Sequence, residues 1–235
     1  ISEVYIGVKD PNPDINGNGI FALEKAGIRV NSDILYDKCL EKNKSFFKWI
    51  NNRIPYVIGK VAQSKNGFMG KDSHSSIWIT GDKAKEHTHN LRSQVDGILV
   101  GKNTVLVDNP QLTVRKVMGN NPKRIILDTN RSLSLDLNIF NDNEADTIVL
   151  CSSNKFEDNQ TSFCRFLTVN ECNGLLNPLD ILKRLGDIGI TSILIEGGQK
   201  VHGSFIEAGL IDEFYIYTSD KILNDAKLNN PFKII

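Results

Sequence analysis

A carboxylate followed by two glycines is the part of this chain best suited to chemistry. Glu196-Gly197-Gly198 leads into Gln199-Lys200-Val201-His202-Gly203-Ser204. Before it, Ser192-Ile193-Leu194-Ile195 has the aliphatic density of a buried strand. After it, Phe205, Ile206 and Ala208 continue a helix that stops at Gly209. A strand passing through glycines into a helix presents backbone N–H groups where the helix dipole is positive, which suits phosphate or pyrophosphate. Gly-Gly turns also join strands to helices with no ligand at all, so these residues alone leave both readings open. Arg92 and Arg115 are the anion clamps if the fold brings them to the turn. A solvated surface charge or a helix C-terminal cation is the plainer role for each.

Metal chemistry has little support. His87 and His89 stand two apart on a predicted helix and point different ways. Cys39, Cys151, Cys164 and Cys172 show no C-x-x-C spacing, so reduced thiols are expected and no metal site is assigned. A zinc deaminase would need H-x-E and P-C-x-x-C signatures, and neither occurs. Composition narrows the class further. The 235 residues carry 28 basic and 28 acidic side chains, which argues against a protein that coats nucleic acid. No apolar run reaches the length of a membrane span, and no secretory leader is expected from the opening residues.

The elements that must position the turn follow from periodicity. Val4 to Val8 is a predicted strand that enters the rigid loop Asp10-Pro11-Asn12-Pro13; a helix over Ile20 to Lys25 and a strand over Ile28 to Val30 complete a β-loop-α-β unit. Such a unit is a small lobe or the tail of a domain whose body lies upstream, and the second is the expectation. A helical connector follows over about 33–51. Further strands are predicted at Tyr56 to Ala62, Trp78 to Thr80, Gly97 to Gly101, Arg124 to Asp128, Thr147 to Leu150, Ser192 to Glu196 and Phe214 to Tyr217. Helices are predicted over Asp82 to Gln94 and Asp180 to Leu185, while Asn103 to Pro110 reads as a turn-rich loop and Asn141 to Asp146 and Lys155 to Gln160 as surface loops. Alternating strands and helices imply an α/β fold with a mostly parallel sheet and flanking helices. Ligands then bind outside the carboxyl ends of the strands, which gathers Ala62 to Ser64, Gly101 to Thr104, Asp128-Thr129 and Glu196 to Ser204 around one cleft.

Several ordered runs resemble a known family. Lys60 to Gly67, Ser76 to Gly81, Leu91-Arg92-Ser93, Gly101 to Pro110, Leu112 to Arg115, Leu127-Asp128-Thr129, Glu196-Gly197-Gly198 and Gly209 to Glu213 are similar to the reductase domain of the riboflavin-biosynthesis deaminase/reductase, and they span most of residues 55–224. Asp10 to Pro13, Gly17 to Gly19 and Ala26 to Val30 resemble the last part of that family's deaminase domain. The expected domains are therefore 1–50, a deaminase-like remnant plus connector, and 51–235, a reductase domain whose final strands are cut short.

The resemblance implies a fold similar to dihydrofolate reductase and NADPH-dependent reduction of a phosphoribosylamino-pyrimidine to its ribitylamino form. It implies cofactor contacts at Ala62, Trp78, Thr104, Asp108, Thr129 and the turn Gly198, Gln199, Lys200, Val201, His202, Gly203 and Ser204. Substrate contacts fall on Ser76, Arg92, Leu112, Arg115 and Glu196. The proton donor stays open among Glu196, Lys60 and Asp108. Zinc belongs to the family's deaminase part, so deamination is not expected from this chain. Gln199 stands where the family often has proline, Asn109 where a second aspartate is common and Gln63 where a small residue is usual. A cytoplasmic homo-oligomer acting on a small molecule is expected; a non-catalytic phosphate-binding fragment, or another reductase of the same fold, is the alternative.

Overall fold

The computed structural model describes residues 1–15, 17–70, 79, 81–155, 164–224 and 226–232. The first elements form a small β-α-β unit: β1 (Glu3–Tyr5), α1 (Asn18–Lys25) and β2 (Arg29–Asn31), with the two strands parallel. The expected single connector helix is two, α2 (Tyr36–Lys42) and α3 (Lys44–Asn52). Asn43 divides them, because its side-chain amide donates to the Cys39 carbonyl at 2.8 Å and competes with a continuing helix. Of the residues in α1, α2 and α3, Ile50 is the buried one. The connector is tied to the rest by polar contacts: Trp49 Nε1 donates to the Gly186 carbonyl at 3.0 Å, and Lys44 and Lys48 pair with Glu213 and Asp212.

The remaining strands and helices run in order: β3 (Tyr56–Gln63), β4 (Phe68–Gly70), α4 (Asp82–Ser93), β5 (Gly97–Gly101), α5 (Lys102–Asp108), β6 (Lys123–Leu127), α6 (Asn138–Asn141) and β7 (Thr147–Ser152). Then come β8 (Cys164–Val169), β9 (Glu171–Cys172), β10 (Leu175–Leu176), α7 (Pro178–Asp187), β11 (Ser192–Gly197), α8 (Gln199–Glu207), β12 (Glu213–Thr218) and β13 (Leu228–Asn229). Seven strands form one parallel sheet in the order β12-β3-β11-β5-β6-β7-β8. This is the α/β architecture that the alternating pattern predicts. Alternate residues feed opposite faces. Leu99, Ile125 and Ile193 pack with Leu182 and Leu185 of α7 and Phe205 of α8, whereas Ile98, Val100 and Ile126 pack with Val105 of α5 and Phe140 of α6.

Three local expectations differ from the structure. The stretch read as a loop after Gly101 is the helix α5, since burial of Val105 against the core rewards a helical turn there. Its turn residues act at the end: Asn109 takes a left-handed φ of 36° and stops the helix before Pro110. The predicted strand over Val4 to Val8 is only the short β1, which pairs with β2 alone. Strand β8 is absent from the sequence reading because Arg165 interrupts its apolar run on the exposed side. Trp78, Thr80 and the part of the expected 155–160 loop beyond Lys155 lie outside the described residues.

Candidate functional site

The middle strand of the sheet's first half, β11, ends where the glycines begin. Its neighbours are β3 and β5, elements far apart in sequence, so one sheet edge collects Lys60, Gly101 and Glu196. Gly197 approaches α5 so closely that a Cβ there would lie 2.7 Å from Thr104 Oγ1. Gly198 adopts a φ of 94°, which side-chain-bearing residues avoid, and so turns the chain into α8. The turn and the amino end of α8 face a cleft of about 560 Å³.

Of the residues expected at the site, Thr104, Asp108, Thr129, Glu196, Gly198, Gln199, Lys200, Val201 and Ser204 line this cleft. Lys102, Asn130, Met69 and the hairpin residues Gly174, Leu175 and Leu176 complete its wall. The hairpin carries no local signal of chemistry and was missed as a wall element; only the sheet's closing geometry brings it there. Ser76 and Trp78 lie outside the described residues. Ala62 follows Lys60 by two positions on β3, opposite Tyr217 of β12.

Three expectations change. His202 does not line the cleft: its ring is fully buried, because this position of α8 faces the sheet, and its neighbour Gly203 is likewise off the lining. Leu112 is buried in the core with a left-handed φ of 56°, so its side chain belongs to packing. Arg92 is not an open clamp. Its Nε and Nη2 donate to the two oxygens of Glu196 at 2.6 and 3.0 Å, and Nη1 donates to the Thr113 carbonyl at 2.9 Å. Arg115 instead is exposed, held by Gln111 and Thr113 side chains at 2.8 and 2.7 Å, with its backbone N–H donating to His89 Nδ1.

The charges at the floor are unbalanced. Lys60 Nζ stands 3.8 Å from Glu196 Oε2, so one carboxylate meets two cations, all three nearly buried. Burial pushes the Lys60 ammonium below the ordinary lysine range; Glu196 opposes that shift and Arg92 adds to it. Burial alone would raise the Glu196 carboxyl, but Arg92 and Lys60 outweigh it and hold the group below the usual carboxylate range. Lys60 also sits over the Tyr217 ring, 5.7 Å from its centroid. The Tyr217 hydroxyl meets His87 Nδ1 at 2.5 Å, and burial pushes it up to about 12. Such a floor keeps Glu196 ionised and leaves Lys60 the more readily released proton.

A dinucleotide fits these residues. The glycines leave room for close backbone approach, the amino end of α8 favours anions, and Lys102 and Lys200 add positive charge on the same cleft. Among the described residues no group of His, Cys, Asp and Glu is arranged to hold a metal ion, and no helix is long and apolar enough to cross a membrane.

Comparison with known proteins identifies the relatives. Residues 55–228 match the RibD C-terminal domain. The chain is 36% identical over 221 residues to a riboflavin biosynthesis protein RibD of Bacillus amyloliquefaciens, covering 92% of this chain and 59% of that protein. It is 32% identical to the RibD of Actinobacillus pleuropneumoniae, covering 98% and 62%. The chain thus spans about three-fifths of the length of the curated relatives it matches. A Thermotoga maritima diaminohydroxyphosphoribosylaminopyrimidine deaminase/5-amino-6-(5-phosphoribosylamino)uracil reductase superposes with a TM-score of 0.84 at 32% identity, over 98% of this chain and 62% of that one. The riboflavin biosynthesis reductase Rib7 of yeast, at 24% identity and a TM-score of 0.64 over 78% of this chain and 81% of that one, shares the fold.

Proposed function

The chain belongs to the RibD C-terminal domain family, and we propose that it catalyses the NADPH-dependent reduction of 5-amino-6-(5-phosphoribosylamino)uracil to the ribitylamino form. One observation carries the reading: a glycine turn fit for a pyrophosphate lies beside a buried lysine–glutamate–arginine cluster with surplus positive charge. NADPH, when bound, supplies the hydride. The protein's task is then to align two ligands, exclude water and deliver a proton.

The residues divide this task. Gly197, Gly198 and the amino end of α8 receive the cofactor's phosphates, and Thr104, Thr129 and Lys102 line its path. Glu196, ionised and oriented by Arg92, accepts hydrogen bonds from the substrate's hydroxyls. Lys60 donates the proton, since Glu196 has none to give and burial eases release from the ammonium. Arg115, exposed beside Arg92, takes the substrate phosphate. A cytoplasmic homo-oligomer is part of this reading.

Oxidation of NADPH by the purified chain, followed by loss of nicotinamide absorbance with the pyrimidine substrate, tests the proposal. Turnover is the expected result. Binding of NADPH without turnover would make the chain a ligand-binding domain instead.

A further inference from the structure

His202 is fully buried, yet it is polar and a leucine would fill its space. The ring packs edge-on against Phe232, with centroids 5.3 Å apart. Nδ1 lies 3.2 Å from the Gly198 carbonyl, and a carbonyl only accepts, so Nδ1 carries the proton. Nε2 is then a buried acceptor, and it meets no hydrogen-bond donor among the described residues. An unsatisfied buried nitrogen is costly. The ring's packing on Phe232 and the bond made by the other nitrogen offset part of that cost.

That nitrogen holds the turn. The Gly198 carbonyl also accepts the His202 backbone N–H at 3.0 Å, so one residue grips the strained glycine twice. The carbonyls near enough to act on the ring belong to Gly198, Ile195 and Lys60. Ile195 precedes Glu196, and Lys60 bears the ammonium that approaches it. A single imidazole thus abuts the main chain of β3, β11 and the turn, the three segments that carry the site.

We propose that His202 is a positioning residue: its ring is buried against the sheet, and its Nδ1–H bond to the Gly198 carbonyl holds the glycine turn, fixing the backbone N–H groups that receive the cofactor's phosphates. The identity of the ligand rests on the NADPH reading above; the bracing of the turn does not.

Two variants test it. His202→Leu removes the donor, whereas His202→Asn places an amide nitrogen where Nδ1 stands. In ligand-free protein, amide hydrogen exchange at residues 202–205 is expected to quicken about tenfold in His202→Leu, the worth of one hydrogen bond. It should return close to the parent rate in His202→Asn, with β5 and β6 unchanged in both. Fluorescence titration with NADPH should follow the same order, with affinity about tenfold weaker in His202→Leu and largely restored in His202→Asn. Unchanged exchange at these residues in His202→Leu overturns the proposal. So does faster exchange spread evenly over β5 and β6, or an asparagine variant no better than the leucine one. If the parent protein fails to bind NADPH, the cofactor reading falls, and the exchange pattern alone still decides the role of His202.

Discussion

Among the described residues, two arginine–carboxylate pairs lie largely out of solvent, and they are built for different ends. Arg124 on β6 is fully buried. It grips Asp142 with Nη1 and Nη2 at 2.8 and 2.6 Å, and it also donates to the carbonyls of Gln111, Ile139 and Ala145. One positive charge meets one negative charge, and the other guanidinium hydrogen bonds go to main-chain carbonyls. Arg92 makes an equally good fork to Glu196, but Lys60 enters the same space and leaves a positive charge uncompensated beside a cleft. The closed pair ties β6 to the loop after α5, to α6 and to the loop before β7. The open cluster stores an unfavourable charge where a ligand can use it.

The largest effect expected from this contrast is on folding. Arg124→Met should strand a buried carboxylate and lower stability by about 3–5 kcal/mol. Arg124→Met combined with Asp142→Leu should recover most of it, as read by denaturant midpoints. A single variant as stable as the parent would erase the distinction between the two pairs.

Lys60→Met tests the other side. With the proton donor removed, turnover should fall roughly 100- to 1000-fold. Stability should not fall, because the fold disfavours the charged lysine, and Arg92 still satisfies Glu196. The sign is clear for pH as well. A donor whose ammonium is pushed below the ordinary lysine range loses its proton at lower pH than an ordinary lysine does. The rate should therefore decline before the usual lysine value of about 10.4 is reached, and this limb should vanish in Lys60→Met. A variant that keeps its rate or its alkaline limb would remove Lys60 from the chemistry.

Arg115→Ala is a smaller perturbation. Loss of an exposed charged hydrogen-bond donor should weaken binding of the phosphorylated substrate by roughly 1.5–3 kcal/mol, with NADPH affinity unchanged in a direct titration. A loss seen on the cofactor instead would reverse the two halves of the cleft.

The mildest difference is in acid. Arg124 holds Asp142 below the usual carboxylate range, against the raising effect of burial. Its contribution to stability is full above the unfolded value of about 3.9 and disappears as pH falls through the lower folded value. Asp142→Asn should flatten the acid limb of a stability–pH curve in that window; an unaltered curve would mean that Arg124 gains its stability from the carbonyls alone.

Much of this was legible in the residues. Three aliphatics, a carboxylate and two glycines announce a strand, a strand end and a turn, because burial and backbone freedom act on neighbours in sequence. Arg124 reads only as the head of an apolar strand; its burial and its partner Asp142 are not legible there. Pairing was decided only by tertiary structure. Arg92 meets Glu196 across 104 positions, and Lys60 joins them because β3, β11 and β5 lie side by side out of chain order. His202 read as a member of the cleft turn and instead faces inward, since its direction depends on how α8 lies on the sheet. Local pattern specifies the strand, the turn and the helix. Charge compensation and side-chain direction depend on which strands become neighbours, and that is settled by the packing of the whole sheet.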